Sequence, residues 1–355
     1  MSTLPWKMSE AWWNLDVRSP TEVSISIKPT QPERRDHYPS SKDLAGVSKV
    51  EVRWFELREG MPPTLALRTD WVLTHLEIEL NDYSSHDKHP PLSAVLGAIM
   101  FCKDTLRVCI VDAAIASIDP ATLARPAVAF PALESLTLHD EGACLALLIS
   151  APNLQYLFIE GNPTCDGGAG IRYISEEQAL FRLKTLLDRS GDCPRLRSLV
   201  LFNSDLDKGD LVALLRRLPS LTELDLIEIW DAEATPAIFD ALTRKPEDPA
   251  SLMFLPALTS LTICDGADGG STRHSVWSWY KLVVRSRLIP MTIDGTQLAC
   301  LQECHTVSEH SLGPGVRGGE GDITLEHLDE IMSEDGSDVD SWDMSSVESN
   351  DEAEA

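Results

Sequence analysis

No stretch of 18 apolar residues occurs in this chain, and that absence excludes a helical membrane span. The first 20 residues, MSTLPWKMSEAWWNLDVRSP, hold no continuous apolar run, so a secretory signal is not expected. No N-x-[ST] sequon has a permitted middle residue. The eight cysteines lie scattered at 102, 109, 144, 165, 193, 264, 300 and 304, several inside apolar strings. They read as free, mostly buried thiols of a reducing compartment, the cytoplasm or the nucleus.

Positive charge is also scarce. Against 56 acids the chain sets 30 Lys and Arg, for a net charge of −26. From Glu320 to Ala355 there are 14 acids and no Lys or Arg, so the body is mildly acidic and the tail strongly so. Without a basic stripe, no nucleic-acid partner is expected. An anionic membrane surface would repel the chain.

Signatures of chemistry are missing as well. There is no G-x-S-x-G elbow, no H-E-x-x-H helix and no phosphate loop. Gly313 to Gly318 spells G-x-G-x-x-G, but a proline sits inside it and more glycines follow, which is the composition of a linker. Cys300, Cys304, His305 and His310 do not have the spacing of paired zinc knuckles. His86 and His89 share a polar, proline-flanked loop with no third ligand in sight. Asp338, Asp340 and Asp343 fail as a calcium loop, because Trp342 takes a ligand position and no glycine follows. No catalytic residue, cofactor or metal is therefore expected. An enzyme of unknown type is the reading with least support.

What the chain does have is a repeat. Five times a proline stands two residues before a leucine that opens L-x-x-L-x-[L/I]. The copies run from Pro131, Pro152, Pro194, Pro219 and Pro256 through leucines 133, 154, 196, 221 and 258. Weaker copies are anchored at Glu22, Val47, Leu73 and Thr105. Five of the eight spacings fit the 20–29 residues of a leucine-rich repeat, and three carry insertions. Leu154 to Asn162 matches the leucine-rich consensus throughout, its Asn placed to bond exposed backbone in the turn. A leucine-rich doubly wound domain would explain neither the recurring proline nor the period.

The segments between copies read as helices. Leu92, Val95, Leu96 and Ile99 follow a 3.6-residue period after Pro90-Pro91. Leucines 211, 214, 215 and 218 make one face, capped by Asp207 or Asp210. Thr235-Pro236 and Asp119-Pro120 open further helices, and Ser175 begins a capping-box-like start to ALFRLKTLLDR. Strand, turn, helix and proline make one unit that cannot bury its apolar faces alone. The expected fold is an α/β, irregular right-handed leucine-rich-repeat solenoid, horseshoe-like, with a disordered acidic C-terminal tail. The expected divisions are an N-terminal segment at 1–19, the solenoid at 20–305, a Gly-rich linker at 306–322 and the acidic tail at 323–355.

In this solenoid the leucines point inward, and the residues flanking the second and third leucines face the open, concave side. That projection gives a partner surface of Tyr156, Phe158, Val200, Phe202, Glu223 and Asp225. Either it is an exposed apolar patch beside two acids, or the insertion at 161–193 folds over it and makes it extra core. In the tail, Ser337, Ser345 and Ser349 each stand three residues before an acid, the pattern of an acid-directed kinase.

The repeats CPRLRSLVL and LPSLTELDL resemble the leucine-rich region of fungal F-box proteins. The segment from Trp12-Trp13 through Arg18-Ser19 to Ser26-Ile27 is similar to the lead-in of that region. Ser278 to Arg287 looks like its closing helix, which ends in Ser-Arg. The resemblance covers roughly 11–300. It implies a substrate receptor of a ubiquitin ligase, recognising a protein target whose identity the residues do not carry. The F-box itself, about 40 residues of three helices, is not found ahead of Trp12, so the docking half is expected to be missing. A ligase adaptor is then a partner only if an F-box is encoded upstream. The other binding reading is a free-standing leucine-rich-repeat scaffold with no ligase role.

Overall fold

Each of the five P-x-L copies opens with the same turn, and the turn explains the proline. The leucine N–H of 133, 154, 196, 221 and 258 donates to the carbonyl three residues back, on Phe130, Ala151, Cys193, Leu218 and Leu255. The proline thus holds the second position of a β-turn, where its fixed φ is already set for the bend. The residue before each proline and the leucine that closes the turn are both buried. Every turn is therefore pinned to the core at both ends.

The computed structural model describes residues 12–19, 22–28, 48–54, 72–80, 92–113, 126–160, 178–202, 208–227, 234–265, 273–293 and 295–308. They form a mixed α/β protein around one mostly parallel sheet of eleven strands. The strands are β1 (Trp12–Ser19), β2 (Glu22–Lys28), β3 (Lys49–Trp54), β4 (His75–Leu80), β5 (Val108–Ala113), β7 (Ser135–His139), β9 (Tyr156–Glu160), β10 (Ser198–Phe202), β11 (Glu223–Ile227), β12 (Ser260–Asp265) and β15 (Glu303–Ser308). They lie in chain order, and only β1 runs antiparallel, against β2. Two short pairs stand apart: β6 (Val128–Ala129) with β8 (Ile149–Ser150), and β13 (Thr292–Ile293) with β14 (Thr296–Gln297).

The five P-x-L strands are neighbours, parallel and in phase, as the repeat predicts. Two ladders of inward side chains result. One joins Leu76, Cys109, Leu136, Leu157, Leu199, Leu224, Leu261 and Cys304; the next joins Ile78, Val111, Leu138, Ile159, Leu201, Leu226 and Ile263. Most of these are fully buried in one continuous core.

The helices bury their apolar stripes in the same core. They are α1 (Leu92–Met100), α2 (Gln178–Ser190), α3 (Lys208–Leu215), α4 (Ala234–Leu242), α5 (Pro249–Leu252) and α6 (Arg273–Leu288). Leu183, Leu186 and Leu187 of α2, Leu211, Leu214 and Leu215 of α3, and Tyr280, Val283 and Val284 of α6 belong to that cluster. Between β7 and β9 a 3-10 helix (Asp140–Leu147) replaces the α-helix. Its Gly142 lies so close to β5 that a Cβ there would sit 2.9 Å from the Val111 carbonyl oxygen.

Several expectations needed correction or addition. The copy anchored at Thr105 is shifted by one: Leu106 is the buried first leucine, and Cys109 and Val111 face inward. The copy anchored at Glu22 is shifted by two, because Val23 and Ile25 pair with Val50 and Val52. A tenth copy, Leu301-x-x-Cys304-x-Thr306, forms β15 and carries the sheet to Ser308. Asp210 falls inside α3 and does not precede it. Residues 306–308 of the expected linker belong to β15, while Asp119, Asn162, Ser175, Asp207, residues 309–322 and the acidic tail lie outside the described residues.

Arg287 holds the C-terminal end together, and it is 0% exposed. Its guanidinium donates to three backbone carbonyls: Leu242 at 2.7 Å from Nε, Phe254 at 2.8 Å and Leu255 at 3.0 Å. Leu242 ends α4, where an Arg donor satisfies a carbonyl that the helix leaves open. Leu255 has a φ of 45°, a left-handed backbone that a leucine adopts only when its surroundings hold it there. Burial first, and the nearby Arg244 charge second, lower the Arg287 pKa to about 9, so it stays protonated at neutral pH. Arg287→Lys, with one ammonium for three divergent carbonyls, should lose about 3 kcal/mol or more in urea denaturation. Leu157→Ala should lose about 2–5 kcal/mol in the same assay.

Candidate functional site

Alternation along each strand sends every other side chain away from the core. In-register pairing then lines those side chains up in rows across the sheet. One row runs Ser135, Tyr156, Ser198, Glu223; the next runs Thr137, Phe158, Val200, Asp225. At the C-terminal ends of the strands, Asp112 pairs with His139, and Phe202 pairs with both Glu160 and Ile227. All six residues assigned to the partner surface therefore share one face.

Their exposure is graded. Tyr156, Phe158, Phe202 and Asp225 are half-buried, Glu223 is exposed, and Val200 is 6% exposed. Phe158 and Phe202 stack with ring centroids 6.5 Å apart, and the His139 ring leans on Phe158 at 4.7 Å. These contacts make a ribbon of rings across β7, β9 and β10. Of the insertion at 161–193, helix α2 packs on the core side through its leucines and not over this ribbon. Residues 161–177 lie outside the described residues.

A charged cluster borders the ribbon. His139 Nδ1 lies 2.6 Å from Glu160 Oε2. Burial works against a charge on His139, but the hydrogen bond and charge of Glu160, with Asp112 and Asp140, outweigh it and raise its pKa. Burial lifts Asp112 above the ordinary carboxylate range; His139 draws it down, while Glu79 and Glu160 push it up. Burial, with the charges of Glu160, Glu141 and Asp112, pushes Asp140 up to about 6, against the pull of His139. Asp140 also has a φ of 50°, a conformation that Asp and Asn tolerate better than most residues.

The surface expected from the sequence did not include His139 or Glu160. The signal was available: each stands one residue after the third apolar position of adjacent copies, so stacking brings opposite charges together. The same alternation separates Cys304, which faces the core, from its neighbour His305, which pairs with Thr262 on the open face. Among the described residues no group of three or more His, Cys, Asp or Glu is arranged to hold a metal. Among them, too, no helix is long and apolar enough to cross a membrane. On the helix side an open hollow of about 410 Å³ lies between α3, α4 and α5, lined by Val212, Arg216, Ala241, Lys245 and Phe254, with Lys245 bonded to Asp240 at 2.6 Å. Ser337, Ser345 and Ser349 lie outside the described residues.

No family model matches the chain, nor does any curated protein or solved structure.

The cluster has a pH signature with a definite sign. Asp140 binds its proton more tightly when folded than when unfolded, so the native state holds more protons between about pH 4 and 6. Stability from this group falls as pH rises through that window. His139 acts in the same direction: its pairing contributes below its unfolded pKa and is lost as pH rises through the raised folded value. Asp140→Asn should therefore flatten the pH dependence between 4 and 7. It should stabilise the protein at pH 7 by up to about 1 kcal/mol, allowing for solvent screening. Glu160→Gln should lower the His139 pKa, as read by NMR titration of its ring.

Proposed function

We propose that this chain is a right-handed leucine-rich-repeat solenoid that recognises another protein on its open sheet face. In this reading it is the target-recognition part of an F-box-type ubiquitin ligase receptor, working in the cytoplasm or nucleus. The single observation that carries the recognition role is the ribbon of His139, Phe158 and Phe202 on the face away from the core. Stacked aromatics contribute most where a partner desolvates them, and half-buried rings outside a core mark such surfaces. Unit regularity supports the solenoid: one turn, one strand and one inward pair of apolar residues recur in phase from β7 to β12. The ligase role rests on the resemblance of the repeats and the closing helix to fungal F-box proteins.

The double substitution Tyr156→Ser with Phe202→Ser tests the surface. A binding face predicts a thermal midpoint within a few degrees of wild type and loss of partner capture. A loss of several kcal/mol, the scale of deleting core aromatics, would place these rings in the core and the binding site elsewhere. The ligase role is tested separately, by coprecipitation with the ligase adaptor from cells expressing the complete transcript. Partner capture without the adaptor would leave a free-standing scaffold.

A further inference from the structure

Charge on the open face is of one sign between β4 and β11, while β3 beside them sets Lys49 opposite His75 and Arg53 opposite Glu79. From β4 to β11 the open-face positions carry six acids and neither Lys nor Arg. Glu77, Glu79 and Asp112 stand on β4 and β5, Glu160 on β9, and Glu223 and Asp225 on β11. Among the described residues the bases of this stretch lie off these positions, Arg107 and Arg197 standing just before β5 and β10. Arg182 and Lys184 are on α2, and Arg216 and Arg217 follow α3. Two acidic margins thus flank an apolar centre of Phe158, Val200 and Phe202.

Resting on the recognition role above, we infer that the open face binds an extended basic segment of a partner protein, laid across the strands with an apolar side chain between two Lys or Arg residues. Asp112 on β5 and Asp225 on β11 are four strand steps apart, or about 19 Å at the usual strand spacing. About six extended residues cover that distance. A side chain midway between the bases then meets Phe158 and Phe202, and an Arg at either margin can also stack on a ring. Burial first, and then the charges of Glu79 and Glu160, hinder ionisation of Asp112, and His139 offsets only part of this, so a further cation beside Asp112 is favoured.

Other occupants fit less well. The chain's own tail, with 14 acids and no Lys or Arg from Glu320 onward, is repelled by this face. A second copy, at a net charge of −26, meets the same repulsion, and so does a nucleic acid.

The test uses the full chain and three fluorescent nine-residue peptides. The first carries two Arg six residues apart around a central Phe in a Ser/Gly background. The second has Glu in place of each Arg, and the third places both Arg together at one end. Binding is followed by anisotropy at low and physiological salt. The first peptide should bind more tightly than the third, the second should not bind, and salt should weaken the complex. Glu77→Gln with Asp112→Asn, and separately Glu223→Gln with Asp225→Asn, should each weaken binding of the first peptide about tenfold, with the thermal midpoint showing that the variants fold. Equal binding by wild type and both variants would assign the peptide to the acidic tail and overturn the inference. Equal binding of the first and third peptides would overturn the spacing across the strands. If a variant fails to fold, the peptide comparison on wild type still decides. Loss of partner capture in Tyr156→Ser/Phe202→Ser, without any preference for basic peptides, would keep the recognition role and discard the basic occupant.

Discussion

Register is the constraint on which everything else in this protein depends. A parallel strand that slips by one residue turns its whole inward set outward. Nine strand-to-strand junctions keep one phase, from β2 to β15. In the five central copies the phase is fixed before the strand begins, by a proline turn whose two ends are both buried. The turn sets where the strand starts, and the leucine ladders hold it there. Local geometry and core packing thus favour the same alignment, which is the consistency expected of a sequence that specifies one fold.

The same register produces the open face. Nothing in a single strand makes a site of Phe158 or Phe202. Stacking brings the rings together, sets His139 against Phe158, and places Glu160 within hydrogen-bond reach of His139. The described residues of this face bring together rings, the His139–Glu160 pair and acids that resist ionisation.

At the C-terminal end the repeat gives way to a different device. The last intervals contain α4, α5 and α6, and their turns present carbonyls toward the interior. Arg287 answers three of them at once with a rigid fork of donors, which no uncharged side chain can do. A buried guanidinium is costly to desolvate. Its three carbonyl bonds offset that cost and keep Leu255 in its left-handed conformation.

Much of this was legible in the sequence, because its signals are local and repeated. The proline and leucine positions predicted which side chains of β7, β9, β10, β11 and β12 face inward, and the 3.6-residue stripes of α1 and α3 predicted their buried faces. The frame of β5 was not legible. Val108 and Ile110 are as apolar as Cys109 and Val111, so only the neighbouring Leu76 and Leu136 decide which pair turns in. Strand β15 was hidden because Cys304 and Thr306 stand where other copies have leucine or isoleucine. Arg287 looked like one more base in a helix ending Arg-Ser-Arg. Periodicity along the chain thus determined the units and their inward faces, since those follow from backbone geometry within about ten residues. Contacts that depend on how units stack, such as the His139–Glu160 pair and the Arg287 spokes across more than thirty residues, were decided only by the tertiary structure.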